Sequence, residues 1–239
     1  MEKLTTNKQE DRNLLSYESG NAYRNFHVVG LKDLEDKLIR RYFTGLGSRV
    51  LDVGCGYGRT TKPLKDLGYD VVGIDVVPRM IETAKQKHPE TDFRLMSATH
   101  INFPDNSFDY APFSFNGLDY IYPKSRREEA LAEMHRVLKS GGKLILTSHN
   151  NATIFTRPRF STFRTLWQTL RHGLLGSNYI MASYEGGDQV TFCRMPWLQK
   201  RDFRSAGFEV LSVVGRKYSQ GIRLNLFESW PYFVLQKKI

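Results

Sequence analysis

The sequence predicts an α/β fold, a doubly wound and mostly parallel seven-stranded sheet with helices on both faces and a helical lid insertion. Short apolar strands alternate with helices between residues 45 and 150. A glycine-rich segment, VLDVGCGYGRTT, lies at residues 50–61, where a strand gives way to a helix. The alternation stops after residue 150 and resumes near residue 196, which leaves an insertion between the two parts.

The elements are predicted in chain order from their apolar spacing and from turn residues. A helix at 31–43 precedes the alternating segments SRVLDVG, RTTKPLKDLG, DVVGIDV, PRMIETAKQKH, DFRLMS, FDYAPFSF, SRREEALAEMHRVLKSGG and KLILTSH. The longest helix is predicted to begin at a capping box of Ser125 and Glu128 and to end at Gly141 and Gly142. A helix and a strand in PWLQKRDFRSAGFEVLSVV and a last strand in YFVLQKK complete the sheet.

Length and composition predict one domain with an insertion, because 239 residues of which 40% are hydrophobic suffice for one substantial core. We divide the chain into an arm and helix that cover the site, a Rossmann-like cofactor-binding core, a lid insertion that binds substrate, and a C-terminal part that completes the sheet. Their predicted bounds are 1–44, 45–150, 151–195 and 196–239.

Composition also bounds location and partners. The chain has no run of eighteen apolar residues and no apolar core of a signal peptide, and it has two cysteines, so we expect a cytoplasmic protein. No His/Cys spacing suggests a metal site, and none is expected. The net charge of +10 is uneven, since residues 150–239 carry thirteen Lys and Arg against five Asp and Glu. This basic third either attracts an anionic partner or is a solvated surface with a charge bias.

The glycine-rich segment predicts a ligand site, because free backbone N–H groups are exposed between a strand end and a helix. Its spacing is G-x-G-x-G, at Gly54, Gly56 and Gly58, and differs from the G-x-G-x-x-G of dinucleotide sites. The preceding Asp52 would repel a pyrophosphate but attract the ammonium group of S-adenosylmethionine. We therefore expect an S-adenosylmethionine site in which Asp52 acts on the ammonium or braces the loop.

Asp75 is the second predicted anchor. It ends the second strand, where an acid can accept hydrogen bonds from ribose hydroxyls. The alternative is a helix cap, because the segment DVVPRM leads into a helix. The glycine-rich segment upstream favours the ribose role.

Four ordered segments resemble the motifs of class I S-adenosylmethionine-dependent methyltransferases, in the branch that includes many small-molecule enzymes. They are VLDVGCGYG, VVGIDVVPRMIETAK, FPDNSFDYAPFSFNGLDYI and EMHRVLKSGGKLILTSHN. The resemblance runs from about residue 17 to residue 150. It implies an enzyme with S-adenosylmethionine as cofactor and S-adenosylhomocysteine as product.

The resemblance implies roles for residues of the first two motifs. The three glycines would line the methionine part of the cofactor, with Cys55 among them as a small filler. Asp75 would bind the ribose, and Val76 and Met80 would pack on the adenine.

Further positions follow from the later motifs. Ser97 and Ala98 fall beside the adenine amino group, where the family often has an acid; serine accepts a hydrogen bond more weakly, so cofactor affinity is expected to be lower. Phe115 and Asn116 end the fourth strand, where the family contacts cofactor and substrate. Tyr17 in the N-terminal arm would cover the cofactor.

The catalytic candidates are His149, Asp119 and Tyr120. Methyl transfer is an in-line displacement, so a base is needed only if the nucleophile carries a proton. His149 could be that base, Asp119 could orient an amine or a base, and Tyr120 could pack on the cofactor. The structural alternatives are that His149 satisfies backbone groups or faces solvent, that Asp119 caps a helix or turn, and that Tyr120 is part of the core.

The insertion contains FTRPRFSTFRTLWQTLRHGLLG at 155–176. Its apolar residues recur at intervals of three and four residues, and it has four arginines and no Asp or Glu. This pattern predicts an amphipathic helix that packs on the sheet, binds an anionic part of the substrate, or lies on an anionic membrane. The candidate substrate residues are Arg157, Arg159, Trp167 and, in a predicted loop or hinge, Tyr184.

Three functions compete. The first is a methyltransferase acting on oxygen or nitrogen of a small molecule, such as a metabolite, a sugar, or a glycan or lipid-linked precursor, anionic in some cases. The second is an RNA methyltransferase that uses the basic third, disfavoured because SFNG replaces the Asn/Asp-Pro-Pro-aromatic signature of many base-directed enzymes. The third is a non-catalytic module. No DNA partner is expected, peripheral membrane contact stays open, and the chain is expected to be a monomer or a homodimer.

Overall fold

The computed structural model describes residues 13, 30–45, 47–152, 178–184, 187–219 and 221–238. The helices are α1 (Asp33–Tyr42), α2 (Thr61–Asp66), α3 (Pro78–Lys87), α4 (Lys124–Val137), α5 (Pro196–Ser205) and α6 (Gly221–Phe227), with a 3₁₀ helix at Gly117–Tyr120. The strands are β1 (Arg49–Val53), β2 (Asp70–Asp75), β3 (Asp92–Leu95), β4 (Phe108–Phe113), β5 (Leu138–Thr147), β6 (Tyr179–Tyr184), β7 (Gly187–Phe192), β8 (Phe208–Val214) and β9 (Tyr232–Lys237).

Seven strands form the central sheet in the order β3-β2-β1-β4-β5-β9-β8, which confirms the predicted mostly parallel sheet. Strands β1 to β5 pair in parallel, and β9 runs antiparallel to both β5 and β8. The strand order changes direction between β1 and β4. Loops that leave the carboxyl ends of these two strands diverge, and the crevice between them is where open α/β sheets bind ligands.

Alternate residues of the strands bury against opposite layers, which is why the strands read as nearly continuous apolar runs. On one face, Val50 packs in a cluster with Ile39 of α1 and Leu64 of α2. On the other face, Leu51 packs in a cluster that includes Leu131 of α4 and Phe203 of α5. Helices therefore cover both faces, as predicted.

Helix α4 differs from its prediction at both ends. Pro123 occupies the N-cap position, so the helix begins at Lys124 and the capping box of Ser125 and Glu128 is wrong. The helix ends at Val137 rather than at the two glycines, because Leu138 already pairs with Phe108 in the sheet. The glycines instead lie in an irregular part of β5, where Gly141 has a φ of +74°.

The described part of the insertion is a β-hairpin in which β6 pairs with β7 in antiparallel register. The expected amphipathic helix at 155–176 lies outside the described residues and stays a prediction. A backbone bridge between His149 and Cys193 joins the hairpin to the end of β5. Among the residues that the structure describes, no helix is both long and apolar enough to cross a membrane.

Candidate active site

A cavity of about 680 Å³ opens at the carboxyl edge of the sheet, where the crevice was expected. Loops after β1, β2, β3 and β4 form one half of its wall, and groups from the ends of β5, β8 and β9 form the other half. Ten of the predicted cofactor residues line it, namely Gly54, Cys55, Gly56, Asp75, Val76, Met80, Ser97, Ala98, Phe115 and Asn116. His149 and Tyr120 line it as well.

Gly56 and Gly58, in the loop after β1, serve different purposes. Gly56 lines the cavity with a φ of +54°, and a Cβ there would meet only the Met80 sulfur, at 3.9 Å. Gly58 does not line the cavity, because it packs the other way. A Cβ on Gly58 would lie 2.9 Å from Cδ2 of His88 and 3.0 Å from Cζ of Phe93. The expectation that all three glycines line the ligand is therefore corrected for Gly58, whose role is helix and strand packing.

Asp52 is fully buried and does not line the cavity. Its Oδ2 accepts hydrogen bonds of 2.6 Å from the hydroxyls of both Thr60 and Thr61, at the start of α2. Burial raises the pKa of Asp52 to about 6, against the lowering effect of these hydrogen bonds. Of the two roles expected for this carboxylate, the geometry favours bracing of the loop over direct contact with a ligand.

Asp75 lies at the cavity with both carboxylate oxygens oriented by the backbone. Oδ2 accepts a 2.9 Å hydrogen bond from the N–H of Gly56, and Oδ1 accepts one of the same length from the N–H of Val77. The carboxylate thus joins the glycine loop to the start of α3. Asp75 therefore both caps this helix, as in the alternative interpretation, and lines the cavity. Burial raises the pKa of Asp75 above its ordinary value.

The far end of the same half is formed by Val76, Met80, Ser97 and Ala98. Val76 is 47% exposed although it is apolar, and Met80 is buried beneath the cavity floor. Ser97 Oγ lies 2.8 Å from the hydroxyl of Thr99 and accepts a hydrogen bond from the Thr99 N–H at 3.2 Å. This arrangement offers an apolar slot with a hydroxyl at its edge, which suits a planar heteroaromatic ring.

On the opposite side, His149 and Asp119 form a buried pair. Oδ2 of Asp119 lies 3.0 Å from Nδ1 of His149 and also accepts a 2.6 Å hydrogen bond from its backbone N–H. Ser148 Oγ donates to the same carboxylate at 2.8 Å. Because the carboxylate acts as acceptor, the proton of a neutral imidazole resides on Nδ1, and Nε2 keeps its lone pair. Asp119 does not line the cavity, so it orients His149 rather than contacting a ligand.

The turn after β4 brings Asn116 to this histidine. Phe115 and Asn116 have φ values of +52° and +58°, a left-handed conformation that non-glycine residues adopt at a cost. A Cβ on the following Gly117 would lie 2.1 Å from Phe113, so the turn requires glycine there. Asn116 Nδ2 lies 3.5 Å from Nε2 of His149, and its N–H donates to Thr147 Oγ1 at 2.8 Å. Tyr120 contacts the His149 ring edge to face, with centroids 5.9 Å apart.

A buried arginine supports the pair from behind. The Nη2 of Arg127 in α4 lies 3.8 Å from Oδ1 of Asp119, and its guanidinium stacks 4.0 Å from the ring centroid of Phe192 in β7. Burial lowers the pKa of Arg127, and the charge of Asp119 opposes this effect. Arg127 therefore compensates the buried Asp119 charge and packs the hairpin against it.

One end of the cavity carries charged residues that the sequence analysis missed. Arg59 and Glu35 form a two-pronged ion pair with N–O distances of 2.8 and 3.0 Å. Lys32 and Arg216 line the same cavity. Arg59 lies in the glycine-rich segment, directly after Gly58, and was the one of these residues with a local signal in the sequence. The others are far apart in the chain, and only the fold brings them together.

Asn13, also missed, connects the N-terminal arm to the hairpin. Its Nδ2 donates to the carbonyl groups of Tyr120 and Val190 at 2.7 and 2.9 Å, and its Oδ1 accepts from the N–H of Val190 at 2.9 Å. Asn13 itself lines the cavity, and the covering role expected of residues 1–44 stays a prediction. Four predicted site residues lie outside the described residues, namely Tyr17, Arg157, Arg159 and Trp167. Tyr184 is described only through its backbone in β6.

Comparison with known proteins assigns the chain to a family. Residues 51–146 match the model of a methyltransferase domain. The chain is 41% identical to a demethylmenaquinone methyltransferase of Renibacterium salmoninarum over 51% of its own length and 47% of that protein's. It is 30% identical to a demethylmenaquinone methyltransferase of Staphylococcus epidermidis over 88% of its own length and 83% of that protein's. The first of these alignments thus spans about half of the relative.

Solved structures share the fold. An S-adenosylmethionine-dependent methyltransferase from Methanosarcina mazei has a TM-score of 0.67 at 20% identity, over 84% of this chain and 97% of that one. A 1,6-didemethyltoxoflavin-N1-methyltransferase from Burkholderia thailandensis, solved with its substrate and S-adenosylhomocysteine, has a TM-score of 0.62 at 15% identity, over 96% and 87%.

The chain belongs to the class I S-adenosylmethionine-dependent methyltransferases. The cavity fits the cofactor of that family on two observations. The Cβ position of Gly56 is open, so a ligand can approach the loop backbone. The Asp75 carboxylate lies at the cavity and is held in place for donors such as ribose hydroxyls. Within the described part of the chain, no cluster of His, Cys, Asp or Glu could hold a metal ion.

Proposed function

We propose that this protein transfers the methyl group of S-adenosylmethionine to a small-molecule acceptor whose reacting atom carries a proton. The single observation that carries the proposal is that His149, held by the buried Asp119, lines the same cavity as Gly56 and Asp75. When bound, the cofactor supplies a methyl carbon already activated by its sulfonium. What the protein adds is position, exclusion of water and a proton acceptor.

The cofactor residues have separate proposed tasks. Gly56 lets the methionine part approach the backbone, and Asp75 accepts from the ribose. Val76 and Met80 hold the adenine ring, and Ser97 accepts from its amino group. Asp52 keeps the loop in shape through its two threonine partners. These tasks place the reactive end of the cofactor toward the β4 and β5 strand ends, where Asn116 and His149 lie.

With the cofactor bound, the acceptor's oxygen or nitrogen would take the methyl group with its own lone pair, leaving S-adenosylhomocysteine. Nε2 of His149 accepts the proton that this acceptor atom carried. Asp119 holds Nδ1–H and stabilises the imidazolium that results, without taking the proton itself. Asn116 limits the rotation of the imidazole through its 3.5 Å contact. The products are the methylated acceptor and S-adenosylhomocysteine, and the proton leaves His149 for solvent.

The acceptor class proposed is an aromatic ring with a hydroxyl group. Tyr120 contacts the His149 ring, and Trp230 and Tyr232 line the same cavity, so their rings suit a planar acceptor. The relatives are named demethylmenaquinone methyltransferases, which supports an aromatic, quinone-like acceptor. These names support the small-molecule function over the RNA alternative. An anionic acceptor was also expected from Arg157 and Arg159, and that expectation stays a prediction.

The test is methyl transfer from labelled S-adenosylmethionine to a short-chain demethylmenaquinol and to a panel of naphthols. His149→Gln should lower kcat/KM by about 10²- to 10⁴-fold, because the proton acceptor is lost. The affinity for S-adenosylhomocysteine should change less than twofold, since His149 is proposed to act on the acceptor. His135→Gln is the matched control, because His135 packs on Phe208 away from the cavity. Unchanged turnover in His149→Gln would contradict the proposed base.

A further inference from the structure

Two cations at one end of the cavity, Lys32 and Arg216, have no role in the chemistry described so far. Lys32 precedes α1, and Arg216 follows β8, so they reach the cavity from opposite halves of the molecule. The Lys32 Nζ lies 3.7 Å from the ring centroid of Phe115. Neither side chain forms a salt bridge with any residue that the structure describes.

The nearby carboxylate is already committed. Glu35 accepts two hydrogen bonds from Arg59, one from the hydroxyl of Ser114 and one of 3.1 Å from the N–H of Lys32. Burial raises the pKa of Glu35, but the hydrogen bonds and charge of Arg59 outweigh burial and hold it below its ordinary value. Since Arg59 balances Glu35, the partly buried Lys32 has no carboxylate of its own among the described residues, and the exposed Arg216 forms no salt bridge with them either.

The positive charge of Lys32 is destabilised in the absence of an anion. Burial, together with repulsion from Arg59 and Arg216, lowers the pKa of Lys32 to about 8, although Glu35 opposes the shift. Cations gathered without a carboxylate partner at a concave site are the usual arrangement for binding an anionic group.

The position of Arg216 indicates which ligand carries that group. The residues proposed for the cofactor follow β1, β2, β3 and β4. Arg216 instead follows β8, and its neighbours at the cavity, Trp230 and Tyr232, lie before and at the start of β9. His149 follows β5 in the same half. Arg216 therefore lies on the acceptor side, and Lys32, over the Phe115 ring, is close enough for the two positive charges to repel each other. Trp230, 46% exposed, lines the same cavity.

We infer that Lys32 and Arg216 bind a carboxylate on the acceptor, so that the preferred acceptor is an aromatic hydroxy acid. The identification of the ligand as the acceptor rests on the proposed function. A carboxylate is also present on the methionine part of the cofactor, and the experiment is designed to separate the two sources.

The experiment titrates the S-adenosylhomocysteine-saturated protein with 3-hydroxy-2-naphthoate and with neutral 2-naphthol as probes, by calorimetry at pH 7. The wild type should bind the carboxylate about tenfold more tightly, as expected for a charge-assisted contact at a partly exposed site. Lys32→Met and Arg216→Met should each reduce this preference to about twofold or less. Lys217→Met is the matched control, because Lys217 neighbours Arg216 and is exposed like it, but does not line the cavity.

Several results would overturn the inference. They are equal binding of the two probes by the wild type, no binding of either, or a preference that survives in both variants. Weaker binding of S-adenosylhomocysteine by the variants, with the probe preference intact, would assign the cations to the cofactor carboxylate instead. Failure of the proposed function can be told apart from failure of this inference. In the first case methyl transfer would not be observed, but the preference for the carboxylate probe would remain.

Discussion

At the scale of single residues, the carboxylate of Asp52 supports the ligand loop from below. It joins the end of β1 to the start of α2 through two short hydrogen bonds to Thr60 and Thr61, and its other oxygen, Oδ1, has no hydrogen-bond partner among the described residues. A fully buried and incompletely bonded carboxylate is expensive to ionise. The site therefore contains a group that holds the loop in place at a cost in stability.

This cost gives a pH-dependent prediction. The pKa of Asp52 is about 6 in the folded protein and near 3.8 when unfolded, so the folded state binds the proton more tightly. The contribution of Asp52 to the free energy of unfolding is therefore present below about pH 4 and is lost as the pH rises through 6. Asp52→Asn cannot ionise and should lose this dependence. Between pH 4 and pH 7 the stability difference should move in favour of the variant by about 2 to 3 kcal/mol.

Urea unfolding of both proteins at four pH values between 4 and 7 measures this difference. Asp70→Asn, at the exposed start of β2, is a control that should follow the wild type. Curves for Asp52→Asn that run parallel to the wild type would contradict the assignment of a raised pKa to Asp52.

At the scale of elements, the glycine loop combines two separate requirements. Gly58 has a φ of +88° and no room for a Cβ, so Gly58→Ala should lower the free energy of unfolding by about 2 kcal/mol. The affinity of the folded protein for S-adenosylhomocysteine should stay within twofold. A Cβ on Gly56 would meet only the sulfur of Met80, so Gly56→Ala should lower the free energy of unfolding by about 1 kcal/mol, through backbone strain alone. Because this Cβ would enter the cavity, the affinity for S-adenosylhomocysteine should fall at least tenfold.

Thermal unfolding and calorimetric titration of the two variants distinguish these effects. If Gly58→Ala weakened the ligand as much as Gly56→Ala does, the division of labour between the two glycines would be wrong.

The elements that the sequence predicted well are those with a local signal. Each strand of the central sheet was predicted, because apolar runs bounded by Gly, Pro and Asp mark strands without reference to the fold. The start of α4 was missed because Pro123 took the cap position from Ser125, a competition between neighbouring start signals. The hairpin of β6 and β7 was missed because its two short strands, YIMASY and GDQVTF, lack a strict alternation of apolar and polar residues and lie in a stretch interpreted as a lid.

The residues of the site also divide into those with a local signal in the sequence and those without one. Gly56, Asp75 and His149 stand at strand ends, so their convergence followed from the predicted topology. Glu35 and Arg216 could not be found this way, because their neighbours at the cavity come from distant parts of the chain. Their positions depend on packing of α1 and of the β8 to α6 connection, which no local pattern encodes.

At the scale of the whole molecule, the change of strand direction between β1 and β4 places two functions at one edge of the sheet. The half built from β1 to β4 presents Gly56 and Asp75, and the half built from β5, β8 and β9 presents His149 and Arg216. Arg216 belongs to the basic C-terminal third, so part of that charge lines the cavity. The hairpin, held to the arm by Asn13 and to α4 by the stacking of Arg127 on Phe192, packs behind Asp119.

The central claim is that this cavity binds S-adenosylmethionine through Asp75. The most direct test is calorimetric titration with S-adenosylhomocysteine of the wild type, Asp75→Ala and the control Asp70→Ala, at the opposite end of the same strand. We expect micromolar binding by the wild type and the control, and at least tenfold weaker binding by Asp75→Ala, because the ribose hydroxyls lose their acceptor. Equal affinity of Asp75→Ala and the wild type, or no binding by the wild type, would contradict the account.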